Sequence, residues 1–296
     1  MVAVVTGGAG FIGRILVEEL ARSGPVVSID RLPMPQADGV TTITADLLDH
    51  QPQVRAALAG AEVVYHLAGC PDVRDPRPDA EQRRHRDNVL ATSAVLSAVA
   101  RDTPLVVTSS SSVYGGTSEG QPCSETDAPS PRGGYALSKL AVERLCEDRL
   151  QEGGLVCIAR PFTVAGEGQR PGMAVSRWIA AVHAGQPLQL YGSPGRSRDI
   201  TDVRDAARAL AGLGAAGARG LVNIGTGVGH TIERIATAVC GALGVPPRFV
   251  IEPGHPAEVE HTLAETTRLR QLIGWVPHTD LDALIARQVE ASLVGA

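Results

Sequence analysis

The first 25 residues narrow the choice of fold more than any other part of the chain. A short β-branched run, Val2–Thr6, passes into Thr6-Gly-Gly-Ala-Gly-Phe-Ile-Gly13. A stretch with helical apolar spacing follows, with Ile12, Ile15, Leu16 and Leu20 on one side, and Ser23-Gly24-Pro25 stops it near Arg22. Glycines at 7, 10 and 13 between a strand and a helix have distinct uses. The first permits a tight turn, the second lets backbone approach a pyrophosphate, and the third lets the helix lie close to the sheet with its N–H groups facing the anion. The spacing is G-x-x-G-x-x-G. Asp30 ends the next strand-like run 17 residues after Gly13. A carboxylate there takes the adenosine ribose hydroxyls and repels a 2′-phosphate, which predicts NAD rather than NADP. The adjacent Arg31 pulls the other way.

The rest of the first half keeps the same rhythm. Strand-like runs at Val26–Ile29, Thr41–Thr44, Val63–Leu67, Leu105–Thr108 and Leu155–Ala159 are separated by helical stretches, among them Asp87–Ala100 and Tyr135–Gln151. Such alternation is the signature of a parallel sheet with crossover helices. After Arg160-Pro161, Gly, Pro and Arg become frequent, as in a loop-rich second lobe. Asp202–Gly212, Gly220–Ile224 and Thr231–Leu243 still read as helix, strand and helix. We therefore expect residues 1–160 to form a dinucleotide-binding domain. Residues 161–296 form mainly a substrate lobe, with segments returning to the first domain.

Several function classes drop out. A formal net charge of −5 argues against nucleic acid as a partner. The longest apolar runs are too short to span a bilayer, so no membrane role is expected. The start of the chain lacks a basic region and a cleavage site, which points to the cytoplasm. Five cysteines, widely spaced and without C-x-x-C, read as reduced thiols and predict no metal site. Arg83-Arg84-His85-Arg86 reads as a solvated helix face. His66, Trp178 and Trp275 read as packing residues.

Arginine occurs 26 times and lysine once, at Lys139, four residues after Tyr135. Residues at i and i+4 share one face of a helix. A phenol titrates near pH 10, and a neighbouring ammonium favours the phenolate. Tyr135 is thus placed to take a proton from a substrate hydroxyl while a hydride leaves its carbon. The run Thr108-Ser-Ser-Ser-Ser-Val-Tyr-Gly115 adds hydroxyls at the end of a strand, where such sheets bind ligands.

These residues together resemble the extended short-chain dehydrogenase/reductases of the nucleotide-sugar epimerase/dehydratase family. The resemblance includes the opening TGGAGFIG, Asp30, Asp46-Leu47, His66-Leu-Ala-Gly69 and Asn88. It continues through SSSSVYG, YALSK, Arg160-Pro-Phe and Tyr191-Gly-Ser-Pro-Gly-Arg-Ser-Arg-Asp-Ile-Thr-Asp-Val203. The tail adds Val222-Asn-Ile-Gly-Thr-Gly227, Leu263-Ala-Glu-Thr-Thr and Gly274-Trp-x-Pro277.

The family implies a Rossmann-type doubly wound α/β sheet with a smaller C-terminal lobe, NAD as cofactor and a nucleotide sugar as substrate. Carried over by residue, Gly7, Gly10, Phe11, Ile12 and Gly13 would hold the pyrophosphate. Asp30 and Arg31 would lie at the ribose and Asp46 and Leu47 at the adenine. Leu67, Ala68, Gly69, Asn88, Ser109 and Pro161 would flank the cofactor. Tyr135 would be the base, Lys139 would hold the nicotinamide ribose, and Ser110 would hydrogen-bond the reacting oxygen. Ser110, Ser111, Ser112, Tyr135, Thr163 and Arg198 would meet the substrate, Arg198 at its diphosphate.

Family dehydratases place Asp and Glu after the catalytic Thr, and decarboxylases place Glu just before the Val. Here those positions are Ser111 and Ser112. Removal and return of a hydride needs neither acid, so the resemblance points to a 4-epimerase acting on a UDP-hexose or UDP-uronic acid through a transient 4-keto sugar. The alternatives are a 4-ketoreductase, a dehydratase using other acids, or a non-catalytic dinucleotide binder. Thr163, Ala165, Glu252 and His255 depart from the family pattern in the substrate half. Cys123 and Glu125 lie after SSSSVYG, where they could approach the sugar. The family also implies a homodimer through the Tyr135–Lys139 helix, with Leu140 and Leu145 as candidate interface residues.

Overall fold

The computed structural model describes residues 2–73, 75–254 and 258–294. The glycine loop joins β1 (Ala3–Thr6) to α1 (Phe11–Ala21), and the chain continues through β2 (Val26–Asp30), β3 (Val40–Thr44), α2 (Pro52–Ala59) and β4 (Val63–His66). One long helical segment follows. Its α3 (Ala80–Arg84) runs through a π-helical stretch, His85–Leu90, into α4 (Ala91–Ala98). The extra residue per turn of a π stretch breaks the 3.6 phase. The expected helix at Asp87–Ala100 therefore begins seven residues earlier than its apolar spacing indicates. Next come β5 (Leu105–Thr108), α5 (Gly133–Gln151) and β6 (Val156–Pro161).

The second half contains β7 (Thr163–Ala165), α6 (Ala174–His183), β8 (Leu188–Tyr191), β9 (Ser197–Asp202), α7 (Val203–Ala215), β10 (Gly220–Ile224), β11 (Gly229–Thr231), α8 (Ile232–Ala242), β12 (Phe249–Glu252), α9 (Thr267–Ile273) and α10 (Leu281–Val294). Seven strands form one parallel sheet in the order β10-β6-β5-β4-β1-β2-β3. The order reverses between β1 and β4, which opens a crevice at their C-terminal ends. β10 joins this sheet beside β6, and α7 packs on α1, so part of the second half completes the first. Two small sheets, β11-β9-β7 and β12-β8, build the other lobe.

Burial alternates along the central strands as a two-residue period requires. Val5, Cys157 and Val222 face one cluster with α1 and α7, while Val4, Ile158 and Leu105 face another with α2, α4 and α5. Trp178, Ile235 and Leu284 centre a third in the small lobe. Val113, Tyr114 and Phe162 form a fourth between the lobes. Each cluster contains one cysteine: Cys157, Cys146, Cys240 and Cys123 in that order.

Candidate active site

The glycine loop is shaped by close approach. Gly7 has φ +75°, and a Cβ there would stand 2.5 Å from the Ala68 nitrogen. A Cβ on Gly13 would stand 2.0 Å from the Gly7 oxygen, so α1 can begin against the turn only without a side chain. Asp30 closes the loop from below: one carboxylate oxygen accepts from the Ala9 N–H at 3.1 Å and the other from Leu32 at 2.9 Å. Under the loop, His66 is locked in one neutral tautomer. Thr92 donates to the Asn88 carbonyl at 2.6 Å, so it accepts from His66 Nε2, and Nδ1 accepts from Thr6 at 2.6 Å. Burial pushes the imidazole pKa down to about 3. His66 is a packing residue.

A cleft of about 1190 Å³ runs from this loop along the ends of the strands to the small lobe. Asp30, Arg31, Asp46 and Leu47, the residues expected at the adenosine, line it together with Leu67, Ala68 and Gly69. Ser109, Ser110, Ser111, Ser112, Tyr135, Lys139, Pro161 and Thr163 meet at its middle, and Arg198 at the far end. The glycine loop, in which Ala9 alone of residues 7–10 carries a Cβ, the N–H groups at the start of α1 and the acid at β2 fit a dinucleotide.

Asn88 is the exception among the expected residues. It stands behind the wall, fully buried, accepting from the Cys70 N–H at 2.6 Å and donating to Ser138 at 2.8 Å. It fastens the loop after β4 to α5 and does not line the cleft. The Arg83–Arg86 cluster is likewise no solvated face: Arg84 is buried, donating to Glu81 and to the Asp72 carbonyl.

Cys123 and Glu125 also turn out to be structural. Neither lines the cleft: Cys123 is buried between strands, its carbonyl taking the Asn223 side-chain amide at 2.9 Å, and Glu125 accepts from the Asn223 N–H. Ala165 lines the cleft, whereas Glu252 ends β12 with its carbonyl bound by Gly192. His255 lies outside the described residues.

Tyr135 and Lys139 stand one turn apart on α5, both facing the cleft. Their electrostatics differ from the expected coupling. Burial raises the phenol pKa above its ordinary value, while the Ser110 hydroxyl and the Arg170 charge pull it down. Lys139 is buried and donates to the Thr108 carbonyl at 2.8 Å, and desolvation pushes its pKa down to about 8. One turn further, Glu143 receives Arg160 bidentately at 2.8 and 2.7 Å, and the Ser109 hydroxyl. Arg160 stacks over the Tyr114 ring at 4.6 Å, and the Tyr114 hydroxyl donates to Asn223. This buried chain fixes the serine turn to α5. Sequence reading did not find Glu143, nor the cleft residues Arg170 and Arg177, because nothing local marks them.

The arrangement supplies a base with a hydroxyl partner, a cation beside it, a dinucleotide cradle and several arginines for anionic groups. Residues 3–225 match the model of the NAD dependent epimerase/dehydratase family. The chain is 31% identical to a UDP-glucose 4-epimerase of Mycolicibacterium smegmatis, over 98% of both proteins. It is 32% identical to a GDP-6-deoxy-D-mannose reductase of Pseudomonas aeruginosa, over 92% of this chain and 91% of that protein. The solved structure of MoeE5 in complex with UDP-glucuronic acid and NAD superposes with a TM-score of 0.88 at 35% identity, over the whole of both chains. With match, cradle and Tyr135–Lys139 pair in agreement, the chain belongs to the NAD-dependent epimerase/dehydratase family.

Proposed function

We propose that the protein is an NAD-dependent 4-epimerase of UDP-sugars, with a UDP-uronic acid as its preferred substrate. The observation that carries the reaction class is the serine turn. Ser110 lies against the Tyr135 phenol, and the next two cleft residues, Ser111 and Ser112, are hydroxyls where elimination requires acid–base carboxylates. Tyr135 takes the proton of the C4 hydroxyl, Ser110 holds the same oxygen, and C4 becomes a ketone. The chemistry that NAD would supply when bound is that of a reversible acceptor for the C4 hydrogen as hydride. The 4-keto sugar turns over in the cleft, so that the hydrogen returns to its opposite face and C4 is inverted, and Tyr135 restores the proton. Buried Lys139 holds the nicotinamide ribose.

The uronic acid preference rests on Arg170. Its guanidinium borders the cleft and is close enough to lower the Tyr135 pKa, with Pro71 and Asp72 as its partners. A guanidinium there suits a carboxylate one carbon beyond the ring. MoeE5 is solved with UDP-glucuronic acid and also with UDP-glucose, so the preference between the two rests on Arg170.

Mass spectrometry and proton NMR after incubation with UDP-glucuronic acid and UDP-glucose, in D2O without added cofactor, test the proposal. Unchanged mass, inverted C4 couplings and no deuterium uptake, faster with the uronate, are expected. Loss of water or of CO2, or turnover only with added reduced cofactor, overturns it. The last outcome would assign the reductase activity of the Pseudomonas relative.

A further inference from the structure

Arg31 follows Asp30 at the edge of the cleft, where a guanidinium complements the 2′-phosphate that distinguishes NADP from NAD. Its position thus opposes the choice that Asp30 makes. The side chain is not available, however. Its two terminal nitrogens donate to the two carboxylate oxygens of Asp87, at 3.2 and 3.1 Å, and one lies 3.9 Å from Asp46. Asp87 is buried and comes from the π-helical stretch, 56 residues away in sequence. Arg86 completes the group, donating to Asp46 and to Asp87, each at 2.7 Å. Two guanidinium charges are met by two carboxylates, and Asp30 leaves the cluster with one net negative charge.

We propose that Asp87 is a specificity-determining residue for the cofactor: by holding Arg31 in a bidentate ion pair, it withholds the cation that would bind a 2′-phosphate. A bidentate pair fixes the plane and direction of the guanidinium as well as neutralising it. Asp46 and Arg86 hold Asp87 and Arg31 in register, so removing the Asp87 charge alone frees Arg31 to turn toward the ribose. The inference rests on the reading of this cleft as a dinucleotide site.

The test is equilibrium binding of NAD+ and of NADP+ to nucleotide-stripped protein by titration calorimetry. The variants are Asp87→Asn, Arg31→Gln and the double substitution. Wild type is expected to favour NAD+. Asp87→Asn is expected to shift the NADP+/NAD+ affinity ratio toward NADP+ by about tenfold, an effect of one freed charge-assisted contact. The double variant is expected to return the ratio to within about threefold of wild type. Arg31→Gln is expected to leave the ratio unmoved. Intact NAD+ binding with no shift in Asp87→Asn overturns the inference alone. So does a shift that survives in the double variant, or a loss of NADP+ affinity in Arg31→Gln. Absence of NAD+ binding by the wild type overturns the dinucleotide reading as well.

Discussion

The only lysine of the chain is hydrogen-bonded to the backbone: Lys139 Nζ donates to the Thr108 carbonyl at 2.8 Å, across 31 residues. This contact ties α5 to the end of β5 and holds a buried ammonium there. Its pKa of about 8, against an ordinary 10.5, makes the folded state release this proton before the unfolded state does. Between pH 8 and 10.5 the unfolded chain therefore binds more protons at this site, and stability rises with pH. The contribution is on the order of 3 kcal/mol. Cys146 and Cys157, pushed up to about 12 by burial, act in the opposite sense above pH 9. Comparison of wild type with Lys139→Met by urea melts from pH 7 to pH 10 isolates the lysine. The stability of the wild type is expected to gain on that of the variant across this range. A constant difference would remove the buried ammonium from the account.

Tyr135→Phe is expected to lower turnover by about 10²- to 10⁴-fold, the usual contribution of one positioned base. NAD+ affinity, read by calorimetry, is expected to change by less than about threefold, since the cradle is built from other residues. Retained turnover would reassign the base.

Arg160→Met leaves Glu143 buried with only the Ser109 hydroxyl, and is expected to cost about 3–5 kcal/mol in urea denaturation. Arg160→Met with Glu143→Leu is expected to be less destabilising than the single change, because no uncompensated charge stays inside. Its turnover should nonetheless fall, since the serine turn has lost its anchor. A double variant less stable than the single would show that the pair contributes more than mutual neutralisation.

Arg170→Met is expected to lower kcat/KM for UDP-glucuronic acid by about 10- to 100-fold, the range for a lost charge-assisted pair. For UDP-glucose the change should stay within about threefold. Equal losses on both substrates would place Arg170 elsewhere in the reaction.

The homodimer remains a proposal, with its residues revised. Leu140 packs inward on the cluster of Val113 and Phe162 and Leu145 is half-buried, whereas Leu137 on α5 and Leu90 at the end of the π-helical stretch are exposed. Leu137→Glu with Leu90→Glu is expected to convert a dimer to a monomer in light scattering. A wild-type monomer would reject the interface.

What was legible in the sequence was local. The glycines at 7, 10 and 13 and the pair at 135 and 139 lie within one turn or one helix, so their spacing carries their geometry. The partners that complete the site come from afar: Arg160 reaches Glu143 across 17 residues, Asp87 reaches Arg31 across 56, and Arg170 meets Pro71 across 99. No periodicity records such contacts. The sequence also misjudged electrostatics that depend on burial. The expectation is a Tyr135 pKa lowered by Lys139, yet burial dominates and the phenol lies above its ordinary value.

The distribution of cysteines has a practical consequence. All five are buried and free, one in each apolar cluster and Cys70 at the cleft. A thiol reagent can reach each only when its own neighbourhood opens, so labelling rates give five separate clocks for local unfolding. Cys157 and Cys146 time the two faces of the central sheet, Cys240 the small lobe, and Cys123 the seam between the lobes. Cys70 times access to the cleft itself, and its clock should slow when nucleotide is present.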